Sequence, residues 1–109
     1  MKKYFVALTL GSMLCYFGMT AISRTAYSAQ PGEVKFKEQC AVCHPDGGNI
    51  INPLKTLHKK DREANNITTE TDIIKTMRKP GPGMTKFDEK TISDKDAHGI
   101  ADYILKTFK

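Results

Sequence analysis

An all-α fold with generous loops is what this sequence predicts, and three observations carry the prediction. Apolar residues recur at helical spacing, most clearly Ala97, Ile100, Ala101, Ile104 and Phe108. Two helix starts have capping-box spacing, Thr69 with Asp72 and Ser93 with Asp96. No stretch alternates apolar and polar residues as a half-buried strand would. Internal repeats and low-complexity segments are absent, and 109 residues predict one domain.

The N-terminal stretch stands apart from that fold. Lys2 and Lys3 make a basic start, an apolar run extends from Tyr4 to Ile22, and Ala26-Tyr27-Ser28 places small residues where a signal peptidase reads. The expectation is a secretory signal peptide over residues 1–29, cut after Ser28 or Ala29, and a domain over residues 30–109. The apolar run is also of marginal length for a retained membrane anchor. Cys15 admits lipoprotein processing, but Leu14 stands where a small residue is expected and the apolar run continues beyond it, so Cys15 is read as part of the removed segment.

Charge is read after that removal. The chain carries 17 Lys plus Arg and 12 Asp plus Glu; Lys2, Lys3 and Arg24 leave with the signal, which makes the mature balance 14 against 12, or +2. No basic cluster is interleaved with aromatics, which argues against nucleic-acid binding. About 80 residues form a marginal core on their own. A buried prosthetic group would supply much of the missing apolar surface.

Gln30-Pro31-Gly32-Glu33 reads as the start of the first helix, with Pro tolerated in the first turn and Glu33 at the positive end. Phe36, Cys40 and Cys43 then share one helical face, and Gly47-Gly48 is expected to stop the helix. Within this stretch lies Cys40-Ala41-Val42-Cys43-His44, a Cys-x-x-Cys-His motif. That motif is the attachment signature for c-type haem. Two thiols at this spacing can each form a thioether to one porphyrin, and His44 supplies an imidazole to its iron. A redox dithiol would call for a neighbouring βαβ pattern, and none is visible. A structural zinc site usually takes four Cys or His ligands, and no second paired cluster exists. A disulfide across two residues would be strained. Covalent haem is the reading that remains.

The loop from Asn49 to Pro53 is expected beside the haem. Pro53 to Ala64 reads as a short helix carrying Leu54 and Leu57, with Lys59, Lys60, Asp61, Arg62 and Glu63 as a solvated face. Asn65-Asn66 ends it. Thr69 with Asp72 starts the next helix, Ile73, Ile74 and Met77 form its apolar face, and Lys79-Pro80 closes it. Pro80-Gly81-Pro82-Gly83-Met84-Thr85-Lys86-Phe87 holds two Pro and two Gly, which excludes regular structure. In such a loop the Met84 thioether is free to reach an iron, a recognised sixth ligand in this chemistry that raises the reduction potential. Packing into a gap is the competing role. Met77, on a helix face, is read as core. The last helix should run from Asp94 towards Phe108, with Tyr103 flanking its stripe and the Phe36 face as its partner.

With both stretches placed, the chain resembles the class I cytochromes c, especially the small single-haem c6-type and related bacterial proteins. The resemblance spans the mature chain. It includes Gly32 and Phe36, the motif at Cys40 to His44 with Gly-Gly-Asn after it, and the Lys55-Thr56-Leu57 run. It also includes the Gly-rich approach to Met84 with Phe87 behind it, the Ser-Asp-x-Asp helix start, and the run from Ala101 to Ile104. It implies a cytochrome c fold, about four short helices and loops wrapped around one covalently bound haem, with the first and last helices crossing near Gly32 and Tyr103. It implies one haem c on Cys40 and Cys43, His44 and Met84 as axial iron ligands, and Asn49 and Lys55 near a haem propionate. The chain departs from the family pattern at Thr85, where a Pro is common, and in its Pro80-Gly81-Pro82-Gly83 approach.

The function so implied is a periplasmic one-electron carrier and not an enzyme. Its partners would be redox proteins meeting a haem edge in transient contact, with Lys59 and Lys86 as rim charges. The expected state is a monomer, membrane-associated only if the signal segment is retained or lipidated. A second reading is a haem sensor or small-molecule binder with a displaceable sixth ligand, which Thr85 leaves open. A third, peroxidase-like, would need His58 or His98 as its base. His58 is also the rival of Met84 for the iron.

Overall fold

The computed structural model describes residues 29–109, so the expected signal segment up to Ser28, the anchor alternative and Cys15 lie outside the described residues. Among the described residues there are four α-helices, a single 3-10 turn and no strand. None of these helices is long and apolar enough to cross a membrane.

The first helix, α1, spans Pro31–Gln39, with Gln30 as an extended N-cap and Pro31 in its first turn. It stops before the Cys-x-x-Cys-His motif rather than at Gly47-Gly48. The hydrogen-bond pattern explains why. The Cys40 and Ala41 N–H groups both donate to the Phe36 carbonyl (2.8 and 3.0 Å), which breaks the one-to-one ladder. The Cys43 and His44 N–H groups then both donate to the Cys40 carbonyl (3.2 and 2.9 Å), so the motif folds as a tight turn after the helix. The 3-10 turn Pro45–Gly47 follows, with Asp46 at φ 51° and Gly47 at φ 78°. Gly47 is required twice over: its φ is left-handed, and a Cβ there would lie 2.4 Å from the Phe108 ring.

The second helix, α2, spans only Lys59–Ala64, against the expected start at Pro53. The N–H groups that a helix from Pro53 would pair with its own first-turn carbonyls go elsewhere: Leu57 donates to the Gly47 carbonyl (2.7 Å) and Lys59 to the Phe108 carbonyl (3.0 Å), while two asparagines fold the loop before them. Asn49 Oδ1 accepts from Ile51 and Asn52 (both 2.9 Å), and Asn52 Oδ1 accepts from Leu54 (3.0 Å). Local side-chain bonds of this kind compete directly with a helix. Leu54 is left exposed, while Leu57 packs against the core. The expected solvated face of this helix also needs correction, because Arg62 is 5 % exposed. Its Nε donates to the Leu57 carbonyl (2.8 Å) and its Nη2 to the Phe108 carbonyl (3.3 Å), so it ties the loop before α2 to the C-terminus.

The third helix, α3, spans Glu70–Arg78 and has both halves of the capping box: Thr69 Oγ1 accepts from the Asp72 N–H (3.2 Å), and the Asp72 carboxylate accepts from the Thr69 N–H (2.9 Å). Ile73 and Met77 are buried and Ile74 is half-buried. The fourth helix, α4, spans Asp94–Thr107, where Ser93 Oγ accepts from the Asp96 N–H (3.1 Å). Its whole expected stripe, Ala97, Ile100, Ala101, Ile104 and Phe108, is buried together with Phe36, Ile73, Met77 and Ile92.

Helix α4 packs on α1 and on α3. The crossing with α1 lies at Gly32 and Gly99, one turn before the Tyr103 region that the resemblance implied. A Cβ on Gly32 would stand 2.0 Å from the Gly99 carbonyl oxygen, so only glycine permits this approach. Beyond the crossing, Phe36 packs on Tyr103 and Phe108 with ring centroids 5.2 and 5.5 Å apart, and Tyr103 meets Phe108 edge-on at 5.9 Å. Tilted and edge-on pairs at these distances suit aromatic quadrupoles.

Gly32→Ala should therefore cost about 3 kcal/mol, the upper range for forced overpacking, or abolish folding. Gly81→Ala, where nothing lies within 4 Å of a new Cβ, should leave thermal stability near wild type. Equal melting temperatures for the two variants would refute the crossing. A second prediction concerns acid. The Thr69 hydroxyl, then the Thr69 and Thr68 N–H groups, hold the Asp72 carboxyl below the usual carboxylate range. A carboxylate depressed in this way adds stability above its unfolded pKa and loses it as pH falls through the folded value. Asp72→Asn should melt below wild type at neutral pH, and the gap should close below about pH 4. A gap that persists unchanged in acid would rule out the charge as its source.

Candidate haem site

One cavity of about 400 Å³ gathers most of the residues singled out from the sequence. Such a volume falls in the range of about 300–1,000 Å³ usual for cofactor and ligand sites. The motif turn contributes Cys40, Cys43 and His44; the following loop contributes Asn49, Ile51, Asn52 and Lys55; and the Pro/Gly loop contributes Gly81 to Thr85 and Phe87. Ile73 and Met77 from α3 and Ile100 and Ile104 from α4 supply apolar surface. Thr56, Asp61, Arg62 and Asn65 bring polar groups from around α2.

His44 is nearly buried at 9 % exposure, and its ring is oriented by one contact. Nδ1 lies 2.7 Å from the Gly48 carbonyl. A carbonyl only accepts, so the proton sits on Nδ1 and the lone pair of Nε2 is free. This is the outer-shell arrangement that prepares a histidine for a metal. The turn at Asp46 and Gly47 brings Gly48 back to the ring, so the short turn after the motif builds the histidine's support.

Cys40 and Cys43 are free thiols, half-buried in the same cavity. Burial pushes the Cys40 thiol up to about 11. That is the opposite of the lowered thiol pKa that marks a reactive redox cysteine. Among the described residues, no group of three or more His, Cys, Asp or Glu could hold a metal ion. The two thiols, the freed imidazole nitrogen and the apolar lining fit a covalently attached haem instead.

Met84 is half-buried and lines the cavity from the Pro/Gly loop. Met77 also touches the cavity but is 3 % exposed within the core. His58 does not line it: His58 caps α2 with its ring 5.8 Å from Phe108. Nor does His98, whose Nδ1 bonds Glu70 Oε1 at 2.5 Å across α4 and α3. Both residues considered for acid–base work thus stand outside the site. Asn49 and Lys55 do line it, although the Asn49 side chain is largely spent on loop backbone, donating to the Lys55 carbonyl (2.9 Å). Sequence reasoning missed Arg62, because a lone Arg in a charged run on a short helix reads as solvated. It also missed Gly99, because a glycine inside a helix stripe gives no sign of the backbone it meets.

Comparisons with known proteins identify the family. Residues 28–104 match the family described as cytochrome c oxidase, cbb3-type, subunit III. The chain is 32 % identical over 106 residues to cytochrome c6 of Synechocystis sp., covering 95 % of this chain and 88 % of that protein. It is 38 % identical over 81 residues to cytochrome c6 of Cyanidium caldarium, covering 72 % of each. Among solved structures, it is similar to the outer-membrane cytochrome OmcF of Geobacter sulfurreducens, with a TM-score of 0.69 and 45 % identity over 72 % of this chain and 99 % of that one. It is also similar to cytochrome c6C of Synechococcus sp. PCC 7002, with a TM-score of 0.68 and 25 % identity over 72 % and 95 % of the two chains. The fold, the haem-binding motif and these likenesses together place the chain in the class I cytochromes c, as a c6-like electron carrier with one covalent haem c and no enzymatic role.

Proposed function

We propose that this protein carries single electrons in the periplasm with its haem iron held between His44 and Met84. The observation that carries the reading is the membership of one cavity. Cys40, Cys43, His44 and Met84 line it together, while the rival His58 stands elsewhere. Haem supplies the redox chemistry when bound, cycling between Fe(III) and Fe(II). Cys40 and Cys43 hold it by thioethers. His44, oriented through Gly48, presents Nε2; Met84 presents a soft thioether that favours the reduced state. His44 and Met84, both holding the haem, would leave it little reorganisation on electron transfer and no open position for a substrate.

Cations in the cavity lining have a part in this reading. Lys55 and the remaining amide hydrogen of Asn49 serve a haem propionate. Arg62 is buried, has no carboxylate partner within ion-pair distance among the described residues, and brings fixed positive charge to the same cavity. Positive charge near the iron stabilises the ferrous state. The partner contact is a small, transient one at the cavity mouth, where Ile51 lines the cavity and is exposed, and where Val42, Ile50 and Leu54 are exposed nearby in sequence. Export by the N-terminal segment places the carrier in the periplasm. The likeness to exported cytochromes and the Cys-x-x-Cys-His chemistry support that placement.

The testing experiment is a visible and near-infrared spectrum of the mature protein, oxidised and reduced, with and without carbon monoxide. Wild type should show a weak far-red band when oxidised and no prompt carbon monoxide shift, binding the gas only slowly. Met84→Ala should lose the band, bind carbon monoxide when reduced, and fall in reduction potential. A Met84→Ala spectrum identical to wild type would sink His/Met ligation, and with it the closed-iron carrier. A second test concerns Arg62. Arg62→Leu strips the Leu57 carbonyl of its partner, at a cost of about 1–3 kcal/mol in denaturant melts. It should also lower the reduction potential. An unchanged potential would mean that the guanidinium is only a structural tie.

A further inference from the structure

The loop that bears Met84 is poorly held by its own backbone. Pro80 and Pro82 lack N–H donors. Among the described residues, the one backbone hydrogen bond made by residues 80–86 runs from the Met84 N–H to the Gly81 carbonyl, and it is long at 3.4 Å. The loop also has Thr85 where the resembled family often has a stiffening Pro. Something else must fix the path of residues 84–87, and α3 provides it. The Phe87 N–H donates to the Met77 carbonyl (3.0 Å). The Phe87 carbonyl in turn accepts from Arg78 Nη1 (3.2 Å). The same Nη1 donates to the Ile92 carbonyl (2.8 Å), and Nη2 pairs with Asp94 Oδ1 (2.8 Å).

From this we infer that Arg78 is the positioning residue for the sixth iron ligand. Its guanidinium latches the C-terminal foot of the Met84 loop to α3 and to the start of α4. The inference rests on the reading that Met84 ligates the iron. The planar fork is what the task demands, since one group must satisfy two backbone carbonyls and a carboxylate lying in different directions. Arg78 is mostly covered, at 21 % side-chain exposure, whereas Asp94 is 69 % exposed. The two carbonyl bonds therefore carry the latch, and the screened pair with Asp94 adds little. Phe87 is gripped at both its N–H and its carbonyl, three residues after Met84. Releasing the carbonyl side lets the loop open locally while the helices stay packed, because segments of low internal bonding open first.

Carbon monoxide binding to the reduced protein reads that opening, since the gas enters only when Met84 leaves. Arg78→Met should bind carbon monoxide about tenfold faster or more, the change expected from losing hydrogen bonds to a charged donor. Arg78→Lys, with a single compact donor head, should fall between Arg78→Met and wild type. Asp94→Asn, which keeps both carbonyl bonds, should stay within about twofold of wild type. Should Arg78→Met fail to accumulate, Arg78→Lys carries the same test. Met84→Ala, measured alongside, separates the two ideas. If Met84→Ala binds the gas rapidly while both Arg78 variants bind it at the wild-type rate, the latch is overturned and the ligation reading stands, even if the Arg78 variants melt earlier. If Met84→Ala itself binds no faster than wild type, the ligation reading falls and the latch falls with it.

Discussion

The rest of the structure depends on the backbone contact between Gly32 and Gly99. The helices can approach this closely only because Gly32 carries no side chain: a Cβ there would stand 2.0 Å from the Gly99 carbonyl oxygen, whereas a Cβ on Gly99 would come no nearer to Gly32 than 3.4 Å. The contact pins the start of α1 to α4. One turn on, Phe36 settles against Tyr103 and Phe108. The turn carrying Cys40, Cys43 and His44 then emerges from the end of α1 at a fixed place over the core. The position of the covalent tethers is thus set by a helix crossing that contains no haem-binding residue.

Two arginines extend the same economy to the loops. Small cytochromes have little regular structure to hold their cofactor, and loops around a cavity expose backbone carbonyls that need partners. Arg62 satisfies carbonyls at Leu57 and Phe108. Arg78 satisfies carbonyls at Phe87 and Ile92. In each case one guanidinium joins segments far apart in sequence, and a single rigid fork replaces the ladder that a helix or sheet would have provided. Asn49 does the same on a smaller scale with an amide, organising the loop that follows the motif.

Elements were legible in the sequence where their cause is local. The capping box at Thr69 and Asp72 needs only four residues, and the apolar stripe of α4 is a matter of period, so both appear as read. Where two local preferences compete, the reading failed. Pro53 to His58 could have been helix by composition, but the Leu57 and Lys59 N–H groups that would close its first turns are spent on the Gly47 and Phe108 carbonyls. The first helix was read too long because the motif's face suits a helix, whereas its carbonyl at Phe36 is shared by two donors. The charged run from Lys59 to Glu63 looked uniform, and only packing singled out Arg62 for burial.

The sequence by itself determined the chemistry of this protein: the five consecutive residues from Cys40 to His44 are the attachment motif for covalent haem, with an imidazole beside the two thiols, and a Pro/Gly loop offers Met84. Those features are covalent spacings and residue types, which a linear chain states directly. Tertiary structure alone decided which of Met84, Met77 and His58 shares a cavity with the tethers, where the helices cross, and which cations are buried there. Each of those outcomes depends on distances between segments remote in sequence, set by backbone contact at Gly32 and Gly99 and by carbonyls that only the folded chain brings within reach of Arg62 and Arg78.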